Sequence, residues 1–167
     1  MEFHEAVETA LREYQHITGL RGYLIKNAGD LDSASERNYF CKCLKTSNKA
    51  LSMCKECAAE NFQEAISKPG ENIYCCHAGL IKWTLPVNHN QQKCVIVMEG
   101  VLSKKQLEES GEWAKYLEKT YHVDADLMER TLKYVKVMDE PELNAGIALM
   151  KHLLTYYLTF SRETVAN

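Results

Sequence analysis

The chain lacks the features that mark membrane-spanning, nucleic-acid-binding and low-complexity proteins. Among its 167 residues, no apolar run approaches the roughly 20 residues that a membrane-spanning helix needs. The formal net charge is -3, and basic residues are interspersed with acidic ones instead of forming the stripe that binds a phosphate backbone. Prolines number only three, and no segment has low complexity. We therefore expect a globular, cytoplasmic protein that makes no direct contact with nucleic acid or membranes.

Hydrophobic periodicity predicts a long helix at each end of the chain and a sheet between them. A first helix is expected over residues 2–17, closed by Gly19. A short strand and a turn follow within residues 21–30. Ser47 is placed to cap a second helix, which ends before Pro69.

Three strand-like runs come next, with the sequences NIYCCHA, LIKWTLPV and KCVIVMEGVL. The polar turn NHNQQ joins the last two, so these strands should pair as an antiparallel hairpin. From Ser103 onward the pattern is helical again. This order of elements predicts an α+β fold.

The final helix, expected over about residues 140–163, carries an apolar heptad repeat. The repeat consists of Leu143, Ile147, Met150, Leu154 and Tyr157. A second apolar face lies beside it. The helix can pack on its own domain alone, or on a second copy of the chain as well, and we expect a homodimer through this helix.

Seven cysteines are the most distinctive feature of the composition. In a cytoplasmic protein, an odd number of cysteines favours reduced thiols or metal ligands over a disulfide framework. Cys54 and Cys57 lie one helical turn apart on one face, and Cys41 and Cys76 add thiols from either side. Four thiolates suit structural zinc, so we expect zinc at these residues. An iron–sulfur cluster is one alternative, and ordinary buried cysteines are another.

The segment YCCH places two cysteines and a histidine in a row, at Cys75, Cys76 and His77. If it is extended throughout, neighbouring side chains point to opposite faces of the sheet. Cys76 would then face the helix that carries Cys54, and His77 would point away with Cys75. No spacing in the sequence puts a nucleophile beside a base, so we do not expect an enzyme.

The segments NYFCKCLKTS, MCKECAAENFQEAISKPGENIYCCHAGLIKWTLPV and VIVMEGVLS resemble the PocR sensory domain, a ligand-binding module of bacterial and archaeal signalling proteins. The resemblance covers residues 20–103, and its most specific part is the motif CHAGL. The positions that match the family are Cys41, Cys54, Cys76, His77, Ala78, Gly79 and Leu80.

The resemblance implies one sensory domain over residues 1–167, with a variant of the PAS fold: an antiparallel sheet flanked by helices. It also implies a small hydrocarbon derivative as ligand, such as a diol. The C-terminal helix would pass the signal to an output module, a DNA-binding domain or a kinase, on the same full-length chain. A sensor in which metal or oxidation of the cysteines is itself the signal is the alternative.

A sensor for such a molecule needs a pocket with an apolar wall and a few aimed hydrogen-bonding groups. We expect the motif, the strand after it and the first strand to line this pocket. The expected ligand-binding residues are Tyr23, Ile25, His77, Ala78, Gly79, Leu80 and Trp83.

Overall fold

The computed structural model describes residues 1–33 and 38–161. Its helices are α1 (Phe3–Thr18), α2 (Asp30–Ser33), α3 (Tyr39–Leu44), α4 (Asn48–Ser67), α5 (Lys104–Glu108), α6 (Ser110–Tyr121), α7 (Ala125–Leu132) and α8 (Glu140–Leu158). Its strands are β1 (Gly22–Ile25), β2 (Asn72–Cys75), β3 (Ile81–His89) and β4 (Gln92–Met98). The strands form one antiparallel sheet in the order β1-β4-β3-β2. The predicted α+β, PAS-like fold, an antiparallel sheet flanked by helices, is confirmed.

Local signals in the sequence start and end several of these elements. Gly19 closes α1 in the left-handed conformation, with φ 77°, and Ser47 caps α4 by accepting a hydrogen bond from the Ala50 N–H. Asn90 and Gln91 form the turn between β3 and β4, both with positive φ, as a tight two-residue hairpin requires. The helices and the hairpin predicted at these places are therefore confirmed.

One face of the sheet packs against α1 and α8. Trp83 of β3 meets Tyr14 of α1 edge-on, with ring centroids 6.4 Å apart, and both side chains are buried. Gly146 of α8 packs closely against Tyr14. A Cβ atom at this glycine would lie only 2.8 Å from Tyr14 Oη. Trp83, Tyr14 and Gly146 thus form a continuous contact from the sheet to the C-terminal helix.

The heptad repeat of α8 is used inside this packing. Ile147, Met150 and Leu154 are buried in the same hydrophobic cluster as Trp83, and the other two members of the repeat pack at its edge. The repeat that motivated the expected homodimer is therefore covered by the chain's own α1 and sheet. The helix ends at Leu158, and residues 162–163 of the predicted helix lie outside the described residues.

The opposite face of the sheet is covered by α4. Phe62 and Ala65, near the C-terminal end of α4, pack on Ile25 and Val95 in a small buried cluster. Toward the middle of α4 the helix and the sheet separate, and a cavity lies between them.

A third cluster is built by α3, α5, α6 and α7. The helical pattern expected after Ser103 begins with two separate helices, because α5 ends at Glu108 and α6 starts at Ser110. The buried Leu80 joins this cluster to the end of the CHAGL motif. In residues 1–33 and 38–161, the helices are all too short or too polar to cross a bilayer.

Candidate ligand-binding site

A cavity of about 100 Å³ lies between the middle of α4 and the sheet. Helix α3 and the CHAGL motif close its sides. The lining residues are Tyr23, Leu31, Cys41, Leu44, Lys45, Cys54, Cys57, Ala58, Tyr74, Cys76, His77, Ala78, Leu80, Lys82, Thr84 and Val97. They include four of the seven cysteines, two lysines, a histidine and a threonine, so the wall is apolar with a few convergent polar groups.

The CHAGL motif enters the cavity as a turn. Strand β2 ends at Cys75, and the Gly79 N–H then donates to the Cys76 carbonyl at 2.9 Å. Gly79 has φ 90°, which favours glycine. Because strand pairing stops at Cys75, the alternation of faces expected through His77 also stops there.

Two side chains from α5 and α6 hold this turn from the outside. The Trp113 indole N–H donates to the Ala78 carbonyl at 2.6 Å, and the Gln106 amide donates to the Gly79 carbonyl at 2.7 Å. A Cβ atom at Gly79 would lie 2.9 Å from the Trp113 ring. The packing of Trp113 and the positive φ therefore both require a glycine at this position.

His77 lies in the cavity with the thiols, which corrects the expectation that it points away from α4. Its Nε2 atom is 2.9 Å from Cys54 Sγ, and its Nδ1 atom is 2.7 Å from Tyr121 Oη. Its backbone N–H also acts on Cys57 by lowering the pKa of that thiol, although burial raises the pKa more. The structure thus brings a nucleophile and a base together, although the sequence spacing indicated no such pair.

Burial keeps the groups of this pair neutral. It raises the pKa of the Cys54 thiol, and nearby Lys45 only partly opposes this shift. Burial likewise lowers the pKa of His77, and the positive charges of Lys45 and Lys82 lower it further. A protonated thiol can donate to Nε2 of a neutral imidazole, which leaves Nδ1–H to donate to Tyr121.

Thr84 is a buried polar group of the cavity wall without a hydrogen-bond partner among the described residues. It is 1% exposed, and within the described part of the chain its Oγ1 atom makes no hydrogen bond. In the sheet it lies between Asn72 and Val97, on the face opposite Trp83. An unsatisfied buried hydroxyl costs about 1–3 kcal/mol, so a site of this kind favours a molecule that supplies the missing hydrogen bond.

The four predicted metal ligands, Cys41, Cys54, Cys57 and Cys76, all line this cavity. None of the seven cysteines is in a disulfide. Over residues 1–33 and 38–161, however, no three His, Cys, Asp or Glu side chains are grouped closely enough to hold a metal ion. Zinc at these cysteines stays a prediction.

The expected ligand-binding residues divide into two groups. Tyr23, His77, Ala78 and Leu80 line the cavity. Trp83, Ile25 and Gly79 do not: Trp83 is buried on the other face of the sheet, Ile25 is buried under the far end of α4, and Gly79 packs on Trp113. The pleat of the strands and the packing of neighbouring helices place these three residues outside the cavity, and their assignment as ligand-binding residues stays a prediction.

Sequence reasoning missed Thr84, Lys45 and Tyr121. The signal for Thr84 was present, since in an extended β3 it shares a face with Lys82 and not with Trp83. No local signal could have found Tyr121, which lies 44 residues from His77 and reaches it only through the packing of α6.

Comparison with known proteins identifies the family of this chain. No curated protein and no solved structure matches the chain. The model of one protein family, described as the sensory domain found in PocR, matches residues 4–161, nearly the whole chain. The chain belongs to the family of sensory domains found in PocR.

Proposed function

We propose that this sensory domain binds a small neutral molecule with a hydroxyl group, such as a short diol, in the cavity between α4 and the sheet. The observation that carries the proposal is the buried Thr84 hydroxyl, which has no hydrogen-bond partner within the described residues. A ligand hydroxyl can both donate and accept, so it can bond Thr84 and a second polar group of the wall at once.

The size of the cavity limits the ligand to a few non-hydrogen atoms. An apolar cavity of about 150 Å³ is known to accommodate benzene, whereas this cavity measures about 100 Å³. The neutral thiol of Cys54 and the neutral imidazole of His77 suit an uncharged ligand, because a buried charge without a partner is costly. Lys45 and Lys82 also line the cavity, so a short carboxylate is the ligand class to compare.

The contacts on the two faces of β3 support a route from the cavity to α8. Thr84 faces the ligand site, and its neighbour Trp83 faces Tyr14 of α1. Tyr14 in turn lies against Gly146 of α8. A ligand that moves the backbone at Thr84 would shift Trp83, and this shift would change the packing of α1 on α8. Helix α8 would then pass the change to the expected output module.

Thermal unfolding with propane-1,2-diol, propan-1-ol and propanoate tests the proposal on wild type, Thr84→Val and Thr84→Ser. The diol should raise the melting temperature of wild type and of Thr84→Ser, because a ligand that binds only the folded state stabilises it. Thr84→Val keeps the shape of the side chain and removes the hydroxyl, so it should weaken diol binding by about tenfold.

The ligand-free protein gives the second half of this test. Thr84→Val should raise its free energy of unfolding by about 1 kcal/mol, because the unsatisfied hydroxyl is gone. Stabilisation by propanoate and not by the diol, or an unchanged diol response in Thr84→Val, would contradict the proposal.

A sensor in which the cysteines themselves respond to metal or oxidation is the second candidate. The convergence of Cys41, Cys54, Cys57 and Cys76 on one cavity favours it. Mass spectrometry of the intact protein after treatment with zinc or with hydrogen peroxide tests this candidate. This second candidate requires that zinc treatment add a stoichiometric zinc ion, or that peroxide treatment remove two hydrogens by joining a pair of cysteines.

A further inference from the structure

We propose that Cys54 is the nucleophile of a reversible covalent site in this cavity, and that its substrate class is short-chain aldehydes. The inference rests on the proposed function, since it concerns the same cavity, and it names the chemistry of one ligand class. It stands on two independent observations: the line of contacts from Cys54 through His77 to Tyr121, and the unpartnered hydroxyl of Thr84.

The first observation is an arrangement of nucleophile, base and orienting group. Cys54 Sγ and His77 Nε2 are 2.9 Å apart, which is within reach of proton transfer. Tyr121 Oη is 2.7 Å from Nδ1 on the other side of the ring and holds the imidazole in place, as a positioning residue. The turn that carries His77 is itself anchored by Trp113, which fixes the backbone from which the imidazole projects.

The second observation is the place for an oxygen atom. Thr84 Oγ1 is buried and has no hydrogen-bond partner among the described residues, and Thr84 lines the cavity that also contains Cys54 and His77. An aldehyde brings one oxygen atom, which becomes a hydroxyl on addition of a thiol. That hydroxyl can form a hydrogen bond with Thr84 Oγ1, whereas a purely apolar ligand would leave Thr84 Oγ1 without a hydrogen bond.

The reaction needs no oxidant, reductant or further reactant. A bond forms between Cys54 Sγ and the carbonyl carbon while the π bond of the carbonyl breaks. The thiol proton passes to His77 Nε2 and from there to the former carbonyl oxygen. The product is a neutral thiohemiacetal, and the reverse steps release the aldehyde when its concentration falls. Occupancy would therefore report the aldehyde concentration, as a sensor requires.

The test uses propanal labelled with ¹³C at its carbonyl carbon, observed by NMR with the 167-residue chain. In wild type, a new signal should appear in the region of saturated carbons bonded to both oxygen and sulfur. The hydrate of propanal, which also forms without protein, gives a distinct signal for a carbon bonded to two oxygens. Cys54→Ser and Cys54→Ala should both abolish the new signal, and Cys57→Ser, one turn further along α4 in the same cavity, should retain it.

His77→Gln separates the role of the base from that of the thiol. It should slow exchange between free propanal and the adduct by on the order of a hundredfold, measured by magnetisation transfer, while the adduct remains detectable. An exchange rate equal to that of wild type would overturn the assignment of His77 as the base.

Failure of the covalent site can be told apart from failure of the proposed function. If propanal and propane-1,2-diol both raise the melting temperature but no sulfur-bonded carbon signal appears, ligands bind without a covalent bond and the inference is overturned. An adduct signal that persists in both Cys54 variants would overturn it as well, because another thiol would then be the nucleophile.

Discussion

His77 Nε2 lies 2.9 Å from Cys54 Sγ, although 23 residues separate the two along the chain. The contact exists because β2 ends at Cys75 and the chain turns at once, which swings the imidazole toward α4. A continuous strand would have pointed His77 to the other side of the sheet. The position of the His77 side chain therefore decides whether the thiol of Cys54 has a base beside it.

The turn itself can be tested at Gly79. Gly79→Ala should lower the free energy of unfolding by about 2 kcal/mol or more, because φ is 90° and the new Cβ atom would lie 2.9 Å from Trp113. Gly111→Ala in α6 is the matched control, since its Cβ atom meets only ordinary contacts. It should raise the free energy of unfolding by up to about 1 kcal/mol. Urea denaturation measures both, and equal effects would contradict the role given to the turn.

Two buried groups on the α1 side of the sheet should contribute to a loss of stability at alkaline pH. Burial raises the pKa of Cys94 from 9.0 to about 12 and that of Tyr14 from 10.0 to about 12. At a pH between the ordinary pKa and the raised pKa of each group, the unfolded chain has released a proton that the folded chain retains. The free energy of unfolding therefore decreases as pH rises above about 9, by at most about 1.4 kcal/mol per pH unit for each group.

Urea denaturation between pH 8 and pH 10 measures this effect, and Cys94→Val removes the first of the two groups. The variant should lose less stability than wild type from pH 9 to pH 10, where Tyr14 contributes least. Parallel pH profiles for the two proteins would show that Cys94 is not the source of the effect.

Zinc and a covalent ligand would compete for the thiol of Cys54 if both predictions hold. If zinc binds as the sequence predicts, elemental analysis of protein purified without chelator should give one zinc ion per chain. Its removal should lower the melting temperature, and Cys41→Ser should do the same. Protein without stoichiometric metal, and with the thiols of Cys41, Cys54, Cys57 and Cys76 open to titration, would contradict the zinc prediction.

The expected homodimer needs a surface other than the heptad repeat. Tyr156 and Phe160 are more than half exposed, and their rings lie together with centroids 5.2 Å apart. If α8 forms the dimer, Tyr156→Glu should yield folded monomers in light scattering, because Tyr156 is exposed and its replacement leaves the core intact. Leu154→Glu should instead destabilise the fold by about 3 kcal/mol or more, since Leu154 is buried. Monomeric wild type at high concentration would contradict the dimer.

Signals that act over a few residues were readable in the sequence. The cap at Ser47, the stop at Gly19 and the turn at Asn90 and Gln91 each depend on local backbone conformation and neighbouring hydrogen bonds. The same holds for the type of the long helices and the antiparallel hairpin. Local chemistry therefore determined the elements and the pairing of β3 with β4, but not the places of β1 and β2 in the sheet.

Contacts between distant residues needed the folded chain. The heptad repeat of α8 shows that this face of the helix is buried against another surface. An apolar stripe can pack equally well on α1 or on a second copy of the chain. Trp83 and Thr84 are neighbours in sequence, and only the packing of α1 on one face and α4 on the other makes Thr84 a cavity residue. Tyr121 meets His77 from 44 residues away because α6 packs beside the turn. Hydrophobic patterning specifies that a face is buried, while the shape and hydrogen bonds of the assembled elements specify which groups meet there.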